Sequence, residues 1–157
     1  MQNFNEMLKK AAEKMGRNVV FEGLLSKNGV IRNGCGENAE DVLGFNYTTC
    51  YHQQCYSFYA ANPPRDGMTQ PTPVFCPTGI RVFNHYKVDY KEAIRLLNTI
   101  NAGNQFTRMS LYWPLTPEAT EPCWHFQTTI GNHVVIGANS GKVNQFNFQM
   151  EEAATNA

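Results

Sequence analysis

A chain of 157 residues fits one domain or two small ones, and its 42% apolar content supplies a core, which excludes a disordered linker. Thirteen basic residues balance thirteen acidic ones, so the cationic excess that phosphate binding needs is missing and no nucleic-acid partner is expected. No apolar run nears the roughly 18 residues of a membrane span, so no membrane insertion is expected.

Only 17% of residues are charged, whereas Asn and Gln number 17 and 8. Such an amide-rich, weakly self-repelling surface suits a packed assembly or an extracellular setting. Met1 to Lys14 carry Glu6, Lys9, Lys10, Glu13 and Lys14 and no apolar signal region. The location stays open: a cytoplasmic one is expected unless the chain is exported by another route or a leader has been removed, in which case the cell surface or exterior is favoured.

In chain order, Phe4, Met7, Leu8, Ala11, Ala12 and Met15 form one helical face that Gly16 ends. Asn18 to Ser26 reads as an extended segment centred on Val19-Val20-Phe21. About Asn28 to Gln54 reads as an insertion rich in Gly, Asn, Cys and Tyr. Cys55 to Ala61 reads as a strand, Asn62 to Thr72 as a long Pro-rich hairpin loop, and Pro73-Val74-Phe75 as its return. His85-Tyr86-Lys87 is a short joint, after which Asp89 caps a helix carrying Tyr90, Ala93, Ile94, Leu97 and Ile100, with Gly103 as its stop. Phe106 to Trp113 and Cys123 to Thr129 are strand-like, Gly131-Asn132 marks a tight turn, and His133 to Gly137 is the partner strand. Val143, Phe146 and Phe148 extend a last strand.

The two halves share an order. Cys55-Tyr56-Ser57-Phe58-Tyr59-Ala60-Ala61 aligns with Cys123-Trp124-His125-Phe126-Gln127-Thr128-Thr129, and Pro77-Thr78-Gly79 with Asn139-Ser140-Gly141. The expectation is therefore an α+β protein of two helix-plus-antiparallel-sheet units, α-β-β-β repeated, packed as one body. The first unit spans 1–86, with the insertion at about 28–54, and the second spans 87–157. Neither has enough core to stand alone.

The second unit resembles the PepSY domain. Glu92-Ala93-Ile94 matches that family's helix, Pro122-Cys123-Trp124-His125-Phe126 its middle strand, and Ala138-Asn139-Ser140-Gly141-Lys142-Val143 its closing turn. Gly137-Ala138 stands where the family pattern has an acidic residue. The resemblance covers about Asp89 to Phe148, with a weaker copy in the first half. It implies a cystatin-like fold and a non-catalytic role in protein or peptide binding, sometimes restraint of a protease, usually outside the cytoplasm.

Cys50 and His52 share a strand face as a thiol–imidazole pair does, but no orienting carboxylate or oxyanion turn lies nearby, so packing or a disulfide explains them better. Cys35, Cys50, His52 and Cys55 lack the paired spacing of a zinc site, so no metal is expected. Five cysteines cannot all pair; Cys35, Cys50, Cys55 and Cys76 are the disulfide candidates, with connectivity open. His125 and His133 read as an ordinary cross-strand pair. No phosphate loop or nucleophile elbow is present, the carboxylates form no dyad, and neither enzyme activity nor a cofactor is expected. Tyr56, Tyr59, Tyr112, Trp113 and Trp124 are the candidate binding residues, because half of each strand alternation faces outward. The reading is a binding or assembly module acting through its sheet surface and edge strands on a protein, a peptide or a second copy. A structural subunit of a virion or extracellular filament is the alternative, and a protease-restraining protein the second.

Overall fold

The computed structural model describes residues 4–16 and 18–147. Among the described residues the chain is α+β: two helices and one antiparallel sheet of eight strands. Helix α1 (Phe4–Lys14) precedes β1 (Leu24–Ile31), β2 (Val42–Tyr51), β3 (Gln54–Ala61) and β4 (Thr72–Val74). Helix α2 (Tyr90–Leu97) precedes β5 (Phe106–Tyr112), β6 (Cys123–Thr128), β7 (Asn132–Gly137) and β8 (Val143–Asn147). The sheet order is β4-β3-β2-β1-β5-β6-β7-β8. Strands β1 and β5 therefore meet at its centre, through Ser26↔Tyr112, Lys27↔Leu111 and Asn28↔Ser110.

Both helices form where apolar spacing predicts them. Met7, Leu8, Ala11 and Ala12 of α1, and Ala93, Ile94 and Leu97 of α2, enter one core cluster with inward residues of the sheet. The Asp89 carboxylate accepts the Glu92 backbone N–H at 2.9 Å and caps α2. Helix α2 stops at Leu97 rather than near Gly103, because Thr99 and Ile100 turn back in three-residue hydrogen bonds to Leu96 and Leu97. Ile100 still packs against the core.

The first half departs further from the sequence reading. Val19-Val20-Phe21 is not the core of a strand. Val19 and Phe21 are buried from an irregular segment, Val20 is exposed, and β1 starts only at Leu24. The 28–54 stretch holds the end of β1, two short 3-10 turns and β2, the longest of the described strands. Four strands rather than three follow each helix. The aligned segments Cys55–Ala61 and Cys123–Thr129 are β3 and β6, which sit at different depths in the sheet; β2 takes the place opposite β6. The Asn62–Thr72 loop does join β3 to β4. Phe148 lies outside the described residues.

A disulfide joins Cys55 of β3 to Cys76 just beyond β4, while Cys35 and Cys50 are free thiols. The bridge ties down β4, an edge strand of three residues with Pro73 at its centre. A short, proline-bearing edge is a poor template for strand addition.

The connection from β4 to α2 crosses back over the sheet. Phe83 exchanges backbone hydrogen bonds with Leu24 (2.7 and 2.9 Å), and Lys87 and Val88 both donate to Ala138 O. These bonds fix Tyr86 over the sheet centre.

Candidate functional site

One row of inward side chains crosses seven neighbouring strands: Phe58, Tyr47, Lys27, Leu111, Trp124, Ile136 and Val143. Every member except Lys27 is apolar or aromatic. Across the central β1–β5 ladder, Lys27 faces Leu111, so an amine occupies a place that its counterpart strand fills with leucine. Lys27 is 7% exposed, and its long side chain runs under an aromatic roof. The Nζ atom lies 4.3 Å from the Phe45 ring centroid, 5.2 Å from Tyr47, 5.8 Å from Trp124 and 5.9 Å from Tyr86. It donates to the Tyr86 hydroxyl at 3.2 Å.

Ring faces attract a cation, but a buried ammonium still loses most of its hydration. Burial therefore pushes the Lys27 amine down from 10.5 to about 7, and the negative Asp89 offsets part of that fall. The same burial raises the Tyr47 and Tyr86 phenols, with smaller contributions from Tyr90 at Tyr47 and from Tyr47 and Asp89 at Tyr86, so both hydroxyls stay protonated. The Trp124 indole N–H donates to Val88 O at 2.7 Å and anchors that wall of the enclosure.

Lys27 forms part of the wall of a cavity of about 530 Å³. Asn5 and Met7 of α1, Asn62 and Pro63 after β3, the 84–89 connection, and Tyr90 and Lys91 of α2 complete it. Lys87, Lys91 and His85 stand exposed along it, and Asp89 is the only carboxylate among the described residues that line it. A volume of this size, with aromatic walls and a few convergent polar groups, is a fitting site for a small ligand. The charge balance favours an anionic one.

The aromatic residues picked from sequence do not converge on one surface. Trp124 is fully buried, a correction that follows from β6 turning its 124, 126 and 128 side chains into the core. Tyr56 packs half-buried near Phe21, with ring centroids 5.8 Å apart. Tyr59 lies against Gly44, where the missing side chain makes room for the phenol. Trp113 donates to Ala119 O at 2.8 Å and stacks under Arg81. Tyr112 stacks on His125 at 4.1 Å on the sheet's other face, above a second, open concavity of about 800 Å³. There His125 Nδ1 lies 3.4 Å from His133 Nε2, diagonal neighbours on β6 and β7. Burial and the neighbouring His133 lower His125 to about 4, so it is neutral near pH 7.

Cys50 and His52 do not form a nucleophile and base. The Cys50 thiol donates to the Glu22 carboxylate at 3.3 Å and is pushed up to about 11 by burial, that hydrogen bond and the carboxylate's charge. His52 is at the β2–β3 hairpin tip with φ 51°, packed edge-on to Tyr51. Cys55, held in the disulfide, is not available as a metal ligand. Among the described residues no group of three or more His, Cys, Asp or Glu side chains is placed to hold a metal ion.

Lys27 was not among the residues that sequence reasoning singled out. The extended segment ends at Ser26 and the insertion starts at about Asn28 in the sequence reading, which leaves Lys27 between them, yet it lies in the middle of a central strand. The available signal lay in β2, where Phe45, Tyr47, Thr49 and Tyr51 alternate with period two and imply an inward-facing partner strand. The chain matches no protein-family model, no curated protein and no solved structure.

Proposed function

We propose that this chain is a non-catalytic binding module, built from two PepSY-like, cystatin-like units, that holds a carboxylate-bearing ligand in the cavity over Lys27. Two features support the two-unit reading. Each helix is followed by four antiparallel strands, and the sheet order runs symmetrically outward from the β1–β5 pair.

The observation that carries the binding reading is Lys27 itself. A lysine at the centre of a hydrophobic row disfavours folding, and residues of that kind are retained for function more readily than for packing. Its hydrogen bond to Tyr86 uses one of the amine's donors, and Lys27 is among the residues lining the cavity. Rim lysines 87 and 91 add attraction at longer range, and the exposed Asn84 amide is suited to hydrogen-bond a peptide backbone. Capture of a peptide's C-terminal carboxylate fits this chemistry. A free carboxylic acid shares it.

Fluorescence anisotropy with pooled tetrapeptides separates these sources. Peptides with a free C-terminus should bind at least about tenfold more tightly than their amidated counterparts, a difference of roughly 1.4 kcal/mol. Lys27→Met should remove that preference. Competition by succinate alone would assign the site to small acids. Equal binding of free and amidated peptides, with no effect of succinate, would sink the reading.

A further inference from the structure

We propose that the Lys27 amine forms a reversible imine with small aldehydes that carry a carboxylate and enter the cavity it lines. The inference rests on the cavity being the anion-accepting site proposed above, and adds covalent chemistry to it.

Three features of the geometry carry it. The amine is enclosed by Phe45, Tyr47, Trp124 and Tyr86, which keep bulk water from it, and Lys27 is one of the residues lining the cavity. An enclosure of this kind favours the neutral amine, the form with a lone pair to attack a carbonyl carbon. The Tyr86 hydroxyl, 3.2 Å from Nζ, is a protonated group in place to pass protons. Lys87 and Lys91 sit at the rim of the same cavity, where the carboxylate of a short bifunctional ligand would rest.

The reaction balances without any further reactant. The Nζ lone pair forms a C–N bond to the aldehyde carbon, and the carbonyl oxygen takes a proton to give a carbinolamine. Loss of the second nitrogen proton and of the hydroxyl group, as water, leaves the C=N bond. Hydrolysis reverses the sequence, so the adduct persists only while the aldehyde is present. In this chemistry the protein retains a carbonyl ligand more tightly than the corresponding acid or alcohol.

The test is reductive trapping on the full chain. Succinic semialdehyde is incubated with the protein near neutral pH, cyanoborohydride reduces any imine to a stable amine, and peptide mapping by mass spectrometry locates it. Lys27 should be modified at least about tenfold faster than the exposed Lys9 and Lys10, because an ordinary lysine is almost wholly protonated near neutrality. Propanal, which lacks the carboxylate, should label Lys27 more slowly than succinic semialdehyde. Lys27→Arg should lose the adduct, and Lys27→Met, which keeps the core apolar, guards against misfolding as the cause. Labelling confined to Lys9, Lys10, Lys87 and Lys91 would overturn the proposal. Succinate separates that failure from failure of the binding reading. If it raises the thermal midpoint of the native protein but not of Lys27→Met while Lys27 stays unlabelled, the cavity binds acids and the imine is wrong. If it does neither, both fall.

Discussion

Replacing Lys27 by methionine should stabilise the protein at pH 7, by about 2 kcal/mol, although it removes a hydrogen bond and a set of cation–π contacts. The reason lies in the linkage between folding and protonation. The folded amine titrates at about 7, against 10.5 for an ordinary lysine. Between those values the unfolded chain binds more protons than the folded one, so stability rises with pH. The lysine's full contribution is present above the unfolded value and is lost as pH falls toward the folded one. Going from pH 7 to pH 9 should therefore add about 2 kcal/mol to the native protein. The groups that face the amine set the upper limit. The Phe45 and Trp124 rings carry no titratable group. Tyr47 and Tyr86 are held protonated by burial, and the Cys50 and Cys123 thiols are pushed up to about 11, so the trend reverses near pH 9 as thiols of the unfolded chain ionise; Lys27→Met shares that loss. Urea denaturation at the two pH values, on native protein and Lys27→Met, measures both effects. A variant less stable than the native protein, with the pH slope unchanged, would show that the lysine is hydrated and the enclosure open.

The second large effect is expected at Trp124. The side chain is fully buried, contacts the core from β6, and donates to Val88 O where the connection enters α2. Its ring lies 6.0 Å from Phe45 and 6.3 Å from Tyr86, so it links the sheet to the wall around Lys27. Trp124→Ala should cost about 4 kcal/mol, from lost burial and a cavity that the rigid sheet does not close. Trp124→Phe should cost about 2 kcal/mol, largely because the Val88 carbonyl is left without its donor. The alanine variant carries a further signature. Water entering beside Nζ would restore hydration to the ammonium, and the gain in stability between pH 7 and pH 9 should shrink. A loss under about 1 kcal/mol with an undiminished slope would contradict both the burial and the coupling.

These effects bear on why a lysine is present. Leu111, its partner across the central ladder, shows that the sheet accommodates an aliphatic side chain at this depth. A stabilising replacement would then be available at every round of selection. Its absence makes sense when the amine does something that leucine cannot.

The second half of the fold was legible in the sequence because its signals are local. Asp89, the spacing of Ala93, Ile94 and Leu97, and Gly131 with φ 87° each dictate their own structure. The first half misled because its strands carry turn-like residues. Asn28-Gly29 has the composition of a hairpin but continues β1, with Gly29 lying against Met109 and Phe45. The actual β2–β3 turn is made by His52 and Gln53, both in the left-handed region without a glycine to mark it. The candidate site was hidden for a related reason. Its members come from β1, β2, β6 and the connection before α2, and only the pairing of β1 with β5 brings them to one place. Chain-local patterns hold no record of that pairing.

The same pairing governs the order in which the molecule assembles. Within each half, every strand partner is a neighbour in the chain, whereas β1 and β5 are joined by only three residue pairs from distant positions. Such a closure is entropically expensive and rewards the chain little until the core beneath it is complete, so it belongs late on the folding route. Lys27 then stays hydrated until after the rate-limiting barrier. Its titration should alter how fast the protein unfolds and leave the refolding rate nearly constant. Stopped-flow chevrons at pH 7 and pH 9 would show the unfolding arm moving alone; displacement of the refolding arm would place the seam in the nucleus instead. On this account the amine acts as a latch whose hold on the native state tightens when it sheds its proton.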